Sequence, residues 1–495
     1  MSLVRQGIPV VLIDRATHPR FAIGESTTPL GDSTLQRIAR RYGLDFLLPL
    51  TQYGAWKNTY PHLMCGRKRG FTYFDQTTGF DLTESDFRSR RMLSSASESN
   101  AVSDTQWLRS DVDQFFFEHA DRLGVQCLQG CDYQFFQTDS GWKVKGTSEG
   151  TDFQFEASFL IDATGAGGGV LRELKIPYQT EILRTNSRSI FGHFSGAKSC
   201  ETLLTDSGIQ CDGFPFACDD AAVHQVLRDG WMWQIRFDDD SLSAGFVLDA
   251  RSGATNDLLL SPQREWDMRI AASPFLKRQF WNAELIRMPR LCATSRIQRL
   301  TTQAAGSNWA TLANTAGFID ALHSTGIAHT LFTVERLADI LGRDDGEQLR
   351  TQRLNGYSEQ LIQEIRHVDL LVEGCYAALP CFDLWCDWAM LYLSAATSME
   401  QKVGNVVSSD DSPVSNPGLL RAADSAFVAM LNRARVRLGE VVAAGSVHQD
   451  CIAFRIWLRE EVEPWNLVGL FDSLCDGLYS STAAPKRLLD LTLHS

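Results

Sequence analysis

The 495-residue sequence lacks the cysteine patterns of metal-binding and disulfide-rich proteins. Its 12 cysteines form no Cys-x-x-Cys pair, and no histidine stands at a ligand spacing from Cys375, Cys381 and Cys386. This usage is typical of reduced core thiols in a cytoplasmic protein, and we predict no metal site.

Positive charge and long apolar runs are also scarce. The 47 basic residues are outnumbered by 60 acidic ones, and the net charge of −13 argues against a nucleic-acid partner. The densest basic cluster, Arg67, Lys68 and Arg69, predicts a strand end or a contact with an anionic ligand group. The apolar stretch at 375–396 contains Pro380 and two aspartates, so we predict buried helices there and no membrane segment.

The phosphate-binding turn of a dinucleotide fold is missing as well. Residues 8–14 (IPVVLID) predict a buried parallel strand ending in Asp14, like the second strand of such a fold, whose carboxylate binds the adenosine ribose. The glycine-rich turn belongs roughly 20 residues before that carboxylate, and no GxGxxG precedes it here. Either Asp14 merely ends a surface strand, or the chain begins inside the fold. We favour the second interpretation because the later motifs require the missing turn.

Against these absences stands one informative stretch, GFIDALHSTGI at residues 317–327. Two glycines bracket a short apolar run, which leads into a helical pattern at 331–338. Glycine lets a backbone approach a flat anionic cofactor, and a helix start offers unpaired N–H groups. The stretch therefore predicts a loop that contacts such a cofactor.

Other segments occur in an order that resembles the flavin-dependent halogenases, the tryptophan-halogenase-like branch of the FAD monooxygenase superfamily. They are PRFAIGES at 19–26, GAWK at 54–57, LRSDVD at 108–113, IDATG at 161–165 and WMWQI at 231–235. Each motif is moderately specific, and their joint order is much more so. The likeness covers residues 1–345 and fades in the helical remainder.

The resemblance implies an α/β fold: a Rossmann-like FAD-binding domain of the flavin monooxygenase type, with an inserted β-sheet substrate subdomain and a helical C-terminal region. We assign residues 1–180 to the FAD domain, 181–300 to the substrate subdomain, 301–345 to the return with the flavin and halide loop, and 346–495 to the helical region. The FAD contacts that it implies are Asp14, Arg109, Asp162, Gly165, Asn314, Gly317 and Ile327.

The implied activity is halogenation of an electron-rich aromatic small molecule, free or carrier-bound, using reduced flavin, oxygen and halide. A separate flavin reductase would supply reduced FAD, since no second nucleotide motif is evident. Hypohalous acid is small and indiscriminate, so a polar group in a water-poor channel has to fix it. The resemblance gives this role to Lys57, whose pKa we expect burial to lower. An ordinary surface lysine is the alternative.

The remaining predicted site residues each have a structural alternative. Glu25 is expected beside the channel, orienting the lysine or relaying a proton, and it also suits a helix N-terminus. Trp231 and Trp233 share a strand face, as channel walls or as core aromatics. The resemblance places the halide at a helix start, where a plain N-cap is the alternative, on Ser324, Thr325 and Gly326.

An aromatic substrate pocket is a further prediction from the sequence. Rings on neighbouring strands can stack on a flat substrate. The candidates are Tyr60, Phe71, Tyr73 and Phe74.

Three positions depart from the family pattern. Ala313 and Asn314 stand for Gly-Asp, although an amide still hydrogen-bonds a hydroxyl. Arg236 replaces a proline. His323 stands where tryptophan halogenases carry a glutamate, which argues against free tryptophan as substrate. For His323 the roles of acid, base, substrate contact and packed side chain all stay open.

Two other hypotheses compete with the halogenase. One is a related FAD-dependent monooxygenase or oxidoreductase without halogenase activity, which would oxidise NAD(P)H by itself. The other is a non-catalytic, truncated remnant, which would fold partly and bind no flavin.

Overall fold

The computed structural model describes residues 1–77, 87–251, 260–407 and 418–480. Helices and strands alternate along its first two thirds, so the fold is α/β, as predicted. The helices are α1 (Pro29–Tyr42), α2 (Tyr53–Thr59), α3 (Arg109–Arg122), α4 (Gly169–Glu173), α5 (Cys200–Asp206), α6 (Pro262–Ala272), α7 (Pro274–Gln279), α8 (Ala313–Ala316), α9 (Thr325–Leu341), α10 (Glu347–Ala378), α11 (Phe382–Val407), α12 (Ser425–Ala443) and α13 (His448–Val462).

The strands belong to one large sheet and several small ones. They are β1 (Val11–Ile13), β2 (Cys65–Lys68), β3 (Gly70–Asp75), β4 (Arg91–Ser95), β5 (Asp104–Trp107), β6 (Gln126–Leu128), β7 (Asp132–Thr138), β8 (Gly141–Ser148), β9 (Thr151–Ala157), β10 (Leu160–Asp162), β11 (Ser187–Ser195), β12 (Ala222–Leu227), β13 (Gly230–Arg236), β14 (Leu242–Asp249), β15 (Glu284–Ile286), β16 (Cys292–Ala293), β17 (Arg299–Leu300), β18 (Ala305–Gly306), β19 (Trp309–Thr311), β20 (Gly317–Phe318) and β21 (Leu478–Tyr479).

The large sheet has nine strands in the described part of the chain, ordered β15-β11-β14-β13-β12-β3-β4-β21, with β16 paired to β11. Neighbours are antiparallel except for β12 with β3 and β21 with β4, which run parallel. Strands β3 and β4 come from the segment assigned to the FAD domain, so the sheet draws on both sides of residue 180. The domain boundaries themselves stay a prediction.

The strands expected near the cofactor form separate small sheets. Strand β1 pairs in parallel with β6, and β10 pairs in parallel with β19. Asp14 follows β1 and Asp162 ends β10. The predicted burial of β1 is wrong: Val11 and Leu12 are 38% and 39% exposed, because β6 is the only strand paired with β1 among the described residues.

From residue 347 onward the chain is mostly helical, and α10 and α11 pack closely against each other. A Cβ added to Gly374 of α10 would lie 1.9 Å from the indole of Trp388 on α11, so only glycine permits this approach. Helices α10 and α11 therefore form a tightly packed pair. Within the described ranges, no helix combines the length and the apolar composition needed to cross a membrane.

Candidate functional site

The loop at residues 317–327 changes direction sharply before α9 begins. His323 and Ser324 both lie in the left-handed region, with φ of 60° and 58°. Two successive non-glycine residues in that region are uncommon and mark a strained turn. The Ser324 side chain makes no capping bond, and a Cβ added at Gly326 would meet nothing within 4 Å. Open space therefore lies beside Gly326 at the start of α9, where the resemblance places the halide.

His323 is held on every side by aromatic and polar groups. Its ring stacks on Tyr392 with centroids 4.1 Å apart, and its Nδ1 lies 3.1 Å from the Tyr73 hydroxyl. Nε2 lies 3.6 Å from the Cys375 thiol. Burial, together with the nearby His224 and Lys68, lowers the pKa of His323 well below its usual value. The imidazole is therefore neutral at physiological pH.

An enclosed cavity lies beside this imidazole, between α1, β3, α9 and α11. Phe71 forms part of its wall. Phe74, another residue of the predicted aromatic pocket, packs on Phe87 instead, because successive strand residues point to opposite faces. Tyr60 is also outside this wall, and its hydroxyl donates to the Phe46 carbonyl. The substrate pocket itself stays a prediction. The polar and aromatic side chains that line the cavity include Thr28, Phe71, His323, Thr325, Tyr392, Thr397 and Glu400.

Lys68 is the lysine that the structure buries next to this cavity. Its side chain is fully buried, and its ammonium donates a hydrogen bond to the carbonyl of Thr27. The ammonium also lies 4.2 Å from the centre of the Phe71 ring, a cation–π contact. Since Phe71 and Thr28 line the cavity, the amine sits directly behind its wall.

Lys57 has a different environment from the one predicted. It lies in the last turn of the short helix α2, and its side chain is 32% exposed. Its ammonium pairs with the Asp238 carboxylate at 2.7 Å. The hydrogen bond that this ammonium donates to Asp238 raises the pKa of Lys57 above its usual value. The expectation of a buried lysine with a lowered pKa is therefore wrong here. The buried residues of this motif are Ala55 and Trp56, and the Trp56 indole N–H donates to the Leu63 carbonyl.

Glu25 is buried and bound by two donors from the large sheet. His193 Nε2 lies 2.8 Å from one carboxylate oxygen, and the Ser243 hydroxyl donates to the other at 2.7 Å. The Trp233 indole N–H donates to Ser243 in turn, at 3.2 Å. Glu25 stands two residues before Thr27, the acceptor for Lys68, so one short segment connects this network to the buried amine.

The two tryptophans of the WMWQI run belong to the same buried face of β13. Their ring centroids are 6.3 Å apart. Trp231 also stacks on His224 at 5.0 Å, and His224 contacts Tyr73 at 4.9 Å. Burial lowers the pKa of His224 to about 3. The tryptophans thus form the apolar side of the wall that surrounds His323, while their channel role stays a prediction.

Asp14 and Arg109 are linked by a line of alternating charges. Arg20 lies 3.4 Å from both Asp14 and Asp113. Asp113 pairs with Arg109 at 2.8 Å, and a second guanidinium nitrogen of Arg109 donates to the carbonyl of Gly24 at 3.0 Å. The segment before Glu25 is therefore fastened to the start of α3.

Asp162 uses its carboxylate to shape the turn that follows it. It accepts bonds from the Thr164 amide at 2.9 Å and the Val170 amide at 2.8 Å. The Gly165 amide donates to the Thr315 hydroxyl at 3.0 Å, which joins this turn to α8. Gly165 has φ of 59°, and an added Cβ there would meet nothing within 4 Å, so the space beside its Cα is open.

The other predicted FAD contacts, Asn314, Gly317 and Ile327, make contacts within the fold. Asn314 is exposed, and its backbone carbonyl accepts a bond from Arg299. A Cβ at Gly317 would lie 2.8 Å from the Arg299 carbonyl and 2.9 Å from Ile365. Glycine at 317 is thus required by packing, and its contact with FAD stays a prediction. Ile327 packs against the apolar cluster around α1.

The charged and polar groups of the predicted FAD contacts suit an anionic dinucleotide such as FAD. The Arg109 guanidinium and the helix start at Gly326 bring positive charge that suits the phosphates, and Asp14 offers an acceptor for ribose hydroxyls. Between Asp14 and Asp162, the Arg15 guanidinium lies 5.1 Å from the centre of the Tyr133 ring, and burial raises the pKa of Tyr133.

Sequence reasoning missed Lys68, although a signal was present. Within a strand, alternate residues point to opposite faces. Arg67 pairs with Asp220 and is partly exposed, and Arg69 bonds Asn100 at the surface, so Lys68 between them has to point inward. The three basic residues were interpreted together as one cluster, so the inward direction of Lys68 was not predicted. No local pattern indicates His193, which lies 168 residues from Glu25.

The chain matches the model of a protein family described as tryptophan halogenase over residues 89–378. Similar curated proteins include monodechloroaminopyrrolnitrin halogenase PrnC of Pseudomonas fluorescens, 26% identical over 393 residues that span 77% of this chain and 66% of that protein. Tetracycline 7-halogenase of Kitasatospora aureofaciens is 26% identical over 419 residues, which span 82% of this chain and 72% of that one.

Solved structures show the same fold. Halogenase PltM in complex with phloroglucinol and FAD superposes with a TM-score of 0.83 at 21% identity, over 98% of this chain and 96% of that one. The flavin-dependent halogenase CmlS superposes with a TM-score of 0.54 at 17% identity, over 89% and 69%. The predicted fold class is thereby confirmed.

Proposed function

Because the chain belongs to the tryptophan halogenase family, we propose that it is a flavin-dependent halogenase acting on an electron-rich aromatic small molecule. Its family membership confirms the resemblance inferred from the motifs. The observation that carries the proposal is the fully buried amine of Lys68 behind an enclosed, aromatic-walled cavity at the start of α9. Burial keeps this amine away from bulk water, as the capture of a small oxidant requires.

FAD is the cofactor in this proposal, and a separate flavin reductase supplies its reduced form. Bound reduced flavin, with oxygen and halide, supplies hypohalous acid. Arg109, Asp14 and the Gly165 turn hold the dinucleotide, and the first amides of α9 at Ser324–Gly326 bind the halide through N–H groups. Because the imidazole of His323 is neutral, it contributes no charge to the binding of the halide.

The lysine that receives the oxidant is, we propose, Lys68 and not Lys57. A buried ammonium can hold hypohalous acid by a hydrogen bond, or its free amine can form an N–X bond, away from bulk water. Lys57 lacks this protection, since its side chain is 32% exposed. The aromatic wall around His323 and Phe71 excludes water from the path between amine and substrate.

The first test is product formation by the purified chain with added FAD, a flavin reductase, NADH, oxygen and bromide or chloride. Phloroglucinol is a suitable first substrate, because the similar halogenase PltM binds it. We expect halogenated product, detected by mass spectrometry, that disappears when halide or the reductase is left out. Hydroxylated product, or rapid NADPH oxidation by the chain alone, would instead support the monooxygenase hypothesis.

A second prediction concerns Glu25. Glu25→Gln should slow halogenation by about 10- to 100-fold, because an amide oxygen cannot accept from both His193 and Ser243 while its NH₂ group faces one of them. The rate of product formation under saturating substrate measures this. Ser243→Ala, which removes one donor and keeps the carboxylate, is the matched control and should cost less. Equal rates for wild type and Glu25→Gln would remove Glu25 from the mechanism.

A further inference from the structure

Two of the 12 cysteines lie close together at the interface between α11 and α13. The Cys381 and Cys451 sulfurs are 3.9 Å apart, although the two residues are 70 positions apart in the chain. Each of the cysteines is a free thiol in the structure. A disulfide holds its sulfurs about 2 Å apart, so the two sulfurs have to approach by only about 2 Å, which is within the reach of side-chain rotation.

The helices that carry the two thiols are already fixed against each other. Cys381 immediately precedes α11. Cys451 lies in the first turn of α13, and its thiol donates to the Ser446 carbonyl at 3.5 Å. Further along the same interface, the Arg455 guanidinium donates to the Asp387 carboxylate at 2.6 Å. A bond between the sulfurs therefore requires no rearrangement of the helices.

The two thiols differ in their access to solvent. Cys381 is partly exposed, whereas Cys451 is 5% exposed. Burial, together with the neighbouring Cys381 and the charges of Asp383 and Asp387, raises the pKa of the Cys451 thiol. A dissolved oxidant therefore meets Cys381 first, and Cys451 stays protonated until it reacts with its neighbour. An accessible thiol beside a second, resolving thiol is the arrangement of redox-sensitive cysteines.

We propose that Cys381 and Cys451 are a redox modification site, at which hydrogen peroxide converts the two thiols into a disulfide. The peroxide first oxidises the Cys381 thiol to a sulfenic acid and is itself reduced, releasing one water. The Cys451 sulfur then attacks the Cys381 sulfur, the S–O bond breaks, and the hydroxide leaves with the Cys451 proton as a second water. Two electrons pass from the thiols to the peroxide in all.

This modification goes beyond the proposed function and does not depend on it, because it needs only dissolved peroxide. Among the described residues, those that line the cavity beside His323 include neither cysteine. The same helix α11 nevertheless carries Tyr392, which stacks on His323, eleven positions after Cys381. The disulfide therefore fastens the start of a helix that forms one wall of the cavity.

The bond should also stabilise the folded chain. It closes a long loop, since the two cysteines are 70 positions apart. Such a cross-link lowers the entropy of the unfolded chain, so oxidation should raise the midpoint of thermal unfolding by about 2–6 °C. Reduction by dithiothreitol should reverse the rise.

Peptide mapping of the full chain tests the proposal. The reduced wild-type protein would be treated with a small excess of hydrogen peroxide, its remaining thiols alkylated, and its tryptic peptides identified by mass spectrometry. We expect a cross-linked pair of peptides that contains Cys381 and Cys451 and that dithiothreitol separates. Peroxide should raise the unfolding midpoint of wild type and of Cys127→Ser, a matched control at another partly exposed cysteine, but not that of Cys381→Ser.

The mapping uses the wild type, so it remains decisive even where Cys381→Ser fails to fold. Recovery of both thiols in alkylated form after peroxide treatment would overturn the proposal. Cys381 found as a sulfinic acid beside an unmodified Cys451, or joined to a different cysteine, would overturn it as well.

Discussion

Lys68→Leu should reduce halogenation of phloroglucinol by at least about 100-fold, the size of loss seen when one preorganised donor is removed from a catalytic site. Leucine fills part of the same buried volume and brings no charge, so the wall around Phe71 should remain packed. What disappears is the ammonium that contacts Thr27 and the Phe71 ring, and with it the group proposed to fix the oxidant. Halogenated product per reduced flavin is the quantity to measure.

Lys57→Leu is the matched control, since it makes the same substitution at a lysine eleven positions earlier in the chain. That amine is partly exposed and paired with Asp238, so its loss should change the rate by less than about twofold. If Lys57→Leu abolished halogenation and Lys68→Leu left it intact, the original assignment from the GAWK motif would stand.

Glu364→Ala should destabilise the fold by about 3–5 kcal/mol, because it leaves a buried guanidinium without its partner. Glu364 of α10 accepts two bonds from Arg336 of α9, at 2.6 and 2.8 Å, and one from the Leu419 amide at 2.9 Å. His329 of α9 lies 3.2 Å away. The carboxylate thus fastens the helix whose first turn is proposed to hold the halide.

The same carboxylate predicts a pH dependence. Burial raises its pKa, but Arg336 and His329 outweigh burial and lower the pKa of Glu364 to about 2. A folded-state pKa below the unfolded value gives stability at neutral pH that is lost as the pH falls from about 4.5 towards about 2. The difference in urea midpoint between wild type and Glu364→Ala should therefore shrink across that range.

Glu118→Ala provides the comparison for this prediction. Glu118 pairs with Arg122 on the surface of α3, with both side chains largely exposed, so its loss should cost less than about 1 kcal/mol at any pH. A Glu364→Ala variant as stable as Glu118→Ala would show that α9 is held by packing alone.

The elements that the sequence could predict are those with strong local periodicity. Strand β13 was expected from its alternating tryptophans, and it occurs. The cofactor turn at Asp162 follows a short apolar strand in the same way. These patterns depend only on residues close together in the chain.

Longer-range features could not be predicted in the same way. The parallel pairing of β3 with β12 joins residues about 150 positions apart, and it brings Tyr73 beside His224 and His323. The partner of Glu25 comes from β11, and the cavity wall opposite Phe71 comes from α11. Nothing local indicates which distant strand or helix will cover a given face.

The lysine assignment shows the same division. A motif match placed the amine at Lys57, but the helix turns that residue outward because Trp56 occupies the buried position. Strand alternation, a local rule, turns Lys68 inward. Burial discriminates the two lysines, and burial depends on the whole fold.

The most direct test is to ask whether the protein keeps an oxidising equivalent after turnover with halide in the absence of any aromatic substrate. The desalted protein would be titrated with iodide, which an N-halogenated amine oxidises. We predict about one equivalent per chain for wild type and Lys57→Leu, and none for Lys68→Leu, because the buried amine is the group that captures the oxidant. An undiminished equivalent in Lys68→Leu would contradict the account.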